Sequence, residues 1–229
     1  MREAKLIAAR MLTPEVRELT VDAGPGFVFE PGQWVSFRIP QSTEDRVARA
    51  YSIASPPRQD GTFLVAVTRV EGGPGSNFLH TIEPGEPLAM LGPEGLFTLH
   101  KPERPILMVA TGTGVSPFRS ILLAYEQLPE TLLLFGHRTE QDLLYREDFV
   151  AIEQRRGSFR YIPTLSRGGP EWPGRRGYVQ SHVPEMVRML GGDCDVYVCG
   201  LNKMIQQVRG VLKNDLGIPR QRIHSERYD

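Results

Sequence analysis

Cysteine is nearly missing from this chain: 229 residues contain two, Cys194 and Cys199. They stand five positions apart in one short hydrophobic segment, so neither a disulfide framework nor a metal quartet can be assembled from them. Net charge is missing too, with 27 Lys and Arg against 27 Asp and Glu, so nothing global points to nucleic acid or an anionic membrane. No apolar run approaches the roughly 20 residues that a membrane helix needs. The N-terminus lacks the apolar core and cleavage site of a signal peptide. These absences lead us to expect no nucleic-acid partner, no membrane and a reducing, cytoplasmic compartment. Internal repeats and low-complexity segments are also lacking.

What is present has an ordinary globular composition, 40% apolar and 24% charged. The length suits one large domain or two small ones. The charge is not evenly spread. Residues 1–100 carry 9 Lys and Arg and 12 Asp and Glu, net −3, which leaves 18 and 15, net +3, for the rest. A positive second half suits an anionic ligand.

The first hundred residues alternate with period two. Val35, Phe37 and Ile39 are interleaved with Ser36 and Arg38, and Phe63, Val65 and Val67 follow the same rhythm. Turn signals such as Pro31-Gly32, Asp60-Gly61 and Pro84-Gly85 separate these runs. Short strands at such spacing predict an antiparallel β-barrel. One short helix is expected from Ser76 to Ile82, starting on a serine cap. The pattern changes near Lys101-Pro102. Compact apolar runs at 106–110, 132–135, 159–165, 196–199 and Ile223 alternate with helical stretches near 115–126, 145–156, 179–190 and 201–215. That alternation predicts βαβ units and a doubly wound parallel sheet. The expected fold class is therefore two-domain, with a barrel over 1–101 and an α/β domain over 102–229.

Several blocks carry chemistry. In Arg49-Ala50-Tyr51-Ser52, strand alternation puts Arg49 and Tyr51 on one face. The guanidinium can hold a phosphate, the tyrosine can stack on a flat ring, and Ser52 offers a hydroxyl. Taken alone, these four residues equally suit a plain surface strand. Gly72-Gly73-Pro74-Gly75-Ser76-Asn77 leads glycines into a helix, a second place for an anion or simply a glycine-rich loop. Gly112-Thr113-Gly114-Val115-Ser116-Pro117 joins a buried strand to a helix, the context of a dinucleotide site. Proline stands where the third glycine of the common pattern would be, and no Gly-Lys-Ser/Thr is present to make a P-loop. Ser166-Arg167 and Arg175-Arg176-Gly177-Tyr178 follow the third predicted parallel strand, at the carboxyl edge where ligands bind. They suit an adenosine 2′-phosphate or a solvated basic loop. Cys199-Gly200 ends the fourth parallel strand, and Glu226-Arg227-Tyr228-Asp229 ends the chain.

These blocks, in this order, resemble the ferredoxin–NADP⁺ reductase family over nearly the whole chain. Arg49 to Ser55 looks like the family's flavin motif, and Gly75-Ser76-Asn77-Phe78-Leu79 like its flavin pyrophosphate motif. Gly112 to Ser120 is similar to its pyridine-nucleotide motif, and Cys199-Gly200-Leu201 with Met204 matches the strand end beside the nicotinamide. The resemblance implies FAD, with FMN also open, because the chain is short for the family and an extra loop around the adenine end is not expected. It implies NADP(H) as co-substrate.

The resemblance also implies roles. Arg49 and Ser76 would hold the flavin phosphates, in a stretch that includes Ala50, Gly75 and Asn77. Tyr51 would stack on the flavin ring and Ser52 would face its N5. Thr68, Arg69 and Val70 would line the ring with backbone. Gly112, Thr113, Gly114, Cys199, Gly200, Leu201 and Met204 would hold the nicotinamide, with Thr113 and Cys199 placing its C4. Arg138, Ser166, Arg167, Arg176, Tyr178 and Gln180 would take the rest of the nucleotide, a Lys being common in the place of Arg176. Glu226 would sit near the nicotinamide amide and help proton traffic. Tyr228 would cover the flavin, with Asp229 as an unusual extra residue.

The implied activity is electron transfer between NADPH and a one-electron carrier such as ferredoxin or flavodoxin, by hydride transfer to flavin N5, in a monomer or weak dimer. Alternatives are the reductase component of a multicomponent oxygenase, a free-flavin reductase, and a non-catalytic flavin-binding subunit. Oxygenase reductases usually carry a fused iron–sulfur module with four cysteine ligands. Two cysteines cannot supply one, so the acceptor would be a separate protein.

Overall fold

A computed structural model of the chain describes residues 1–40 and 46–228. The chain divides into two compact units. One is Met1–Leu99 with Ser116–Ala124, and the other is His100–Val115 with Tyr125–Asp229.

The first unit holds β1 (Arg2–Thr13), β2 (Val16–Asp22), β3 (Trp34–Pro40), β4 (Arg46–Ser52) and β5 (Thr62–Thr68), then α1 (Pro74–Thr81) and β6 (Pro87–Glu94). The strands form one antiparallel sheet in the order β4-β3-β6-β1-β2-β5. Its two edges meet. Just past β4, Ile53 bridges Val65 of β5, the Ala54 N–H donates to the Leu64 carbonyl at 2.7 Å, and the Leu64 N–H donates to Ser55 Oγ at 3.1 Å. Closing the sheet in this way removes its exposed edges. The alternating residues Val35, Phe37, Ile39, Phe63, Val65 and Val67 all point inward and are fully buried with Leu6, Leu19 and Met90. The barrel expected from period-two patterning is what the chain forms.

The helix α1 begins two residues earlier than expected, and Ser76 is not its cap. Gly73 occupies the cap position without a side-chain bond, and Pro74 starts the helix. Proline has no N–H to satisfy and a fixed φ, which suits the first helical position. Ser76 lies inside the first turn, where its Oγ accepts the Val70 N–H at 3.0 Å. At the other end Arg17 Nη1 donates to the carbonyls of Leu79 (3.1 Å) and Ile82 (2.9 Å), and His80 Nε2 lies 2.9 Å from the Val67 carbonyl oxygen. The helix is thereby tied to both β2 and β5.

The segment Ser116–Ala124 is helix α2, and it packs with this first unit. Arg119 Nη1 donates to the Ala54 carbonyl and Ser120 Oγ to the Ser55 carbonyl, each at 2.6 Å and each buried. The Phe118 ring lies 5.5 Å from that of Phe97. Two backbone carbonyls left by the end of β4 are thus satisfied by side chains 65 positions away.

The second unit holds β7 (Ile106–Thr111), β8 (Thr131–His137), α3 (Arg146–Arg155), β9 (Phe159–Leu165) and the two-residue β10 (Arg175–Arg176). It continues with α4 (Val179–Met189), β11 (Asp195–Leu201), α5 (Asn202–Gly210), a widened helical turn over Val211–Asp215, and β12 (Ile223–Tyr228). All pairings are parallel, in the order β10-β9-β8-β7-β11-β12. Every residue of β8 is buried, as both-face covering requires of a parallel strand. The strand order turns back on itself between β7 and β11, so the carboxyl ends of these two strands mark the switch point of a doubly wound sheet. No helix among the described residues is long and apolar enough to cross a membrane.

Replacing Arg119 by Met keeps the aliphatic stem and removes the donor to Ala54. We expect the variant to lose about 1–3 kcal/mol of stability, the cost of a buried carbonyl without its partner. A urea titration reads this as a lower midpoint, and an unchanged midpoint would refute the assignment.

Candidate functional site

In the first unit, β4 delivers the basic-aromatic-hydroxyl cluster. Arg49 and Tyr51 share a face, pairing across the sheet with Phe37 and Val35. The Tyr51 ring leans on the barrel core, 5.8 Å from the Phe37 ring. Burial pushes its hydroxyl up to about 12, against the pull of the neighbouring Arg49 charge, so the phenol is neutral at any ordinary pH. Ala50 faces outward and is exposed, while Ser52 is buried. Arg49 is exposed, and its stem reaches the start of α1, where a Cβ added to Gly75 would meet Arg49 Cγ at 3.0 Å.

The start of α1 carries no side-chain cap and no acidic residue in its first turn. Its first N–H groups and the adjoining guanidinium make a cradle for an anion. Thr68 ends β5, and Arg69 and Val70 follow it. Ser76 Oγ holds the Val70 N–H, and Arg69 Nε donates to Asn77 Oδ1 at 3.4 Å. Residues 68–70 and the helix start at 75–77 are therefore one construction. A flat ring beside Tyr51 and a phosphate at the α1 start suit its chemistry, so the residues present fit a flavin nucleotide.

In the second unit, β7 ends at the half-buried Thr111 and turns through Gly112–Val115. Gly112 takes a φ of +53°, and Thr113 is half-buried. Gly114 lies so close to the end of β11 that a Cβ on it would meet the Cys199 carbonyl oxygen at 2.4 Å. Across the same gap, Gly200 has a φ of +150°, and a Cβ there would meet Thr111 Oγ1 at 2.4 Å and Met204 Cε at 2.8 Å. The two glycines let the carboxyl ends of β7 and β11 close on each other. Cys199 is fully buried, Met204 is buried in the first turn of α5, and Leu201 is 66% exposed. Glu226, half-buried on β12, stands level with Cys199 in the strand register. Tyr228 is described only as backbone of β12, level with Leu201, and Asp229 lies outside the described residues. Thr111 Oγ1 is buried with no hydrogen-bond partner among the described residues. An orphaned hydroxyl beside a glycine turn at a switch point fits a bound nucleotide.

The basic residues lie on the loops after β8 and β9. Arg138 and Arg167 are exposed and adjacent, since the Arg167 N–H donates to the Arg138 carbonyl at 2.8 Å. Ser166 is bound to the His137 carbonyl by its N–H (2.9 Å) and its Oγ (3.3 Å). Tyr178 is 67% exposed. Gln180 Nε2 donates to Gln207 Oε1 at 3.0 Å. Arg175 forms a bidentate pair with Glu185 at 2.5 and 2.6 Å, holding that carboxylate below its usual range. Arg176 is turned to its own loop, donating to the carbonyls of Gly168, Pro170 and Trp172.

Sequence reasoning left four residues that shape these units without a role. Thr111 precedes the glycine motif and carries its orphaned hydroxyl. Arg119 and Ser120 belong to the motif, but only the fold shows what they bind. His137 is buried at the end of β8 with its ring 3.9 Å from that of Phe135 and no partner on Nε2 among the described residues. Burial depresses it to about 4, against the opposing influence of Asp142.

Two outcomes follow. Gly114→Ala drives a methyl into a backbone carbonyl, so we expect a loss of about 1–3 kcal/mol of stability together with weaker NADP⁺ binding by calorimetry. Native stability and affinity in that variant would disprove the close approach. His137 is neutral when folded and charged when unfolded below its ordinary value. Its contribution is thus complete above pH 6.5 and lost as pH falls towards 4, on the order of 3 kcal/mol in all. His137→Gln should flatten the fall in urea-unfolding free energy between these limits, and an equally steep fall would count against it.

Comparison with known proteins gives a consistent result. Residues 3–99 match the oxidoreductase FAD-binding domain family, and residues 108–210 match the oxidoreductase NAD-binding domain family. The chain is 48% identical to ferredoxin–NADP reductase B of Sorangium cellulosum, over 99% of this chain and 97% of that protein. It is 37% identical to the 2-halobenzoate 1,2-dioxygenase electron transfer component of Burkholderia cepacia, over 85% of this chain but only 57% of that protein. The flavohem-like FAD/NAD-binding domain of nitric oxide dioxygenase from Vibrio cholerae shares the fold at 20% identity, with a TM-score of 0.88 over 99% of this chain and 98% of that one. With a flavin-compatible barrel, a nucleotide-compatible switch point and a full-length relative at 48% identity, this chain belongs to the ferredoxin–NADP⁺ reductase family.

Proposed function

We infer that this protein transfers electrons between NADPH and a separate one-electron carrier protein of the ferredoxin or flavodoxin kind. The observation that carries this reading is the presence of two nucleotide-compatible constructions in one chain, each in its own unit. One is the uncapped α1 start flanked by Arg49 and Tyr51. The other is the Gly112–Gly114 turn closed on Cys199-Gly200. On this reading residues 1–101 are the flavin-binding domain and 102–229 the NADP(H)-binding domain.

When bound, the flavin supplies the conversion between a two-electron donor and a one-electron acceptor. The chain's own residues bind and orient. Arg49, Gly75, Ser76 and Asn77 hold the phosphate end, and Tyr51 packs on the ring. Ser52 offers its hydroxyl to the ring edge, with Ala50 and the backbone of Thr68, Arg69 and Val70 alongside. Gly112, Thr113, Gly114, Cys199, Gly200, Leu201 and Met204 receive the nicotinamide end. Glu226 holds the carboxamide and moves a proton. Ser166, Arg167, Tyr178, Gln180 and Arg138 serve the adenosine end, and Arg176 lies in the same loop. FAD is the expected form. The free thiols of Cys194 and Cys199 suit a reducing, cytoplasmic compartment, and a monomer or weak dimer is the expected state.

A second reading, the reductase component of an oxygenase, is favoured by the likeness to the Burkholderia component, of which this chain spans 57%. The two cysteines are both buried and by themselves cannot ligate a four-cysteine cluster.

The deciding experiment is the anaerobic visible spectrum of the purified protein, before and after one equivalent of NADPH or NADH. We expect a bound-flavin spectrum that NADPH bleaches faster than NADH. A colourless protein would overturn the tightly bound flavin and leave a free-flavin reductase or a partner-dependent subunit. Equal bleaching by both nucleotides would remove the NADP preference.

A further inference from the structure

The chain just past β4 is held by side chains where a sheet would use backbone. Ile53 bridges Val65, so Ala54 and Leu64 stand opposite each other, as a pair that would exchange two backbone hydrogen bonds in a regular antiparallel ladder. Among the described residues only one of the two forms, from the Ala54 N–H to the Leu64 carbonyl at 2.7 Å. The Leu64 N–H turns instead to Ser55 Oγ at 3.1 Å. The Ala54 carbonyl is taken by Arg119 Nη1 and the Ser55 carbonyl by Ser120 Oγ, each at 2.6 Å. Two residues of α2 thus complete a ladder that the backbone leaves half-made.

These contacts cannot easily let go. Ser116 to Leu122 are all buried, and Phe118 is anchored against Phe97. An exposed arginine can swing from a carbonyl to water at little cost, but a buried one that loses its acceptor keeps its charge in a place with poor solvation. What the contacts fix lies close to the flavin cradle. Ser52, two residues before Ala54, is buried and level with Trp34 on β3, and the Ile53 N–H donates to the Gln33 carbonyl at 2.9 Å. Residues 52–55 are therefore held from the β3 side, from β5 and from α2.

We propose that Arg119 and Ser120 are positioning residues of the flavin site, which hold the Ala54 and Ser55 carbonyls so that Ser52 is presented to the ring in a fixed place. The proposal rests on the flavin reading above, in which Ser52 offers its hydroxyl to the ring edge. Both residues stand in the stretch that resembles a pyridine-nucleotide motif, yet α2 packs with the first unit and spends these side chains there. A hydroxyl already in place adds its full interaction to binding, whereas one on a loose segment must first be ordered by the ligand. Ordering the backbone of one residue costs about a factor of ten in affinity.

The test uses the full chain with its flavin. Visible circular dichroism reads the surroundings of the ring, fluorescence titration reads flavin affinity, and urea reads stability. Val21→Ala is the control for plain destabilisation, because Val21 is fully buried in the barrel and level with Phe63, at the end of β5 away from Thr68. Arg119→Met should weaken flavin on the order of 10-fold, and Ser120→Ala roughly fivefold, each with altered dichroism. Arg119→Lys keeps a donor for the Ala54 carbonyl and should recover part of both signals. Val21→Ala should lower the urea midpoint and keep native dichroism and affinity. If Arg119→Met and Ser120→Ala behave like Val21→Ala, the contacts serve stability alone and the proposal is wrong; Ser120→Ala decides this even if Arg119→Met does not fold. If Ser52→Ala keeps native dichroism and affinity, the ring is not placed through Ser52 and the proposal is overturned, with flavin binding itself intact. A wild-type protein that takes up no flavin would refute the flavin reading, and faster amide exchange at Ala54 and Leu64 in Ser120→Ala would still decide the clamp.

Discussion

The nucleotide unit depends on one close approach, that of two backbones at the carboxyl ends of β7 and β11. Parallel strands at a switch point normally diverge into a crevice, because their crossover helices leave on opposite faces. Here Gly114 and the Cys199 carbonyl come within a distance that no side chain would permit, and Gly200 admits Thr111 and Met204 from the other side. At these strand ends Thr113 is half-buried and Cys199 fully buried. One polar group there, the Thr111 hydroxyl, has no hydrogen-bond partner among the described residues. A site of this kind binds by shape and backbone polarity, and needs charge only at its outer edge.

That division of labour recurs in the barrel. Tyr51 is fixed by the core and stays neutral, so it offers area rather than charge. The single guanidinium of the cluster, Arg49, lies at an uncapped helix start. In both units exposed arginines lie beside a glycine-containing turn or helix start, Arg49 near α1 and Arg138 and Arg167 on the loops after β8 and β9. A chain with no net charge can thus bind two anionic nucleotides, because the relevant fields are local and act over a few ångströms.

Much of this was legible in the residues. The apolar runs at 106–110, 132–135 and 196–199 became strands because a parallel strand covered on both faces is apolar along its buried length, whereas 159–165 became a strand with Arg160 exposed. Arg49 and Tyr51 fell on one face because strand alternation leaves no other choice. The start of α1 was misread because Ser76 is a good cap in isolation. Pro74, two residues earlier, is a better first helical residue, and the serine then found Val70 instead.

By itself the sequence determined the order of elements, the barrel followed by a doubly wound sheet, and the glycine positions where backbones must meet. These follow from local periodicity and from the conformations that glycine and proline alone allow. Only the tertiary structure decided which donors are spent and which remain available. Arg119 and Ser120 are given to carbonyls 65 residues away, Arg175 to Glu185, and Arg176 to its own loop. An arginine's partners are chosen by whatever acceptors the folded chain brings within about 3 Å, and that proximity is not written in the spacing of the residues.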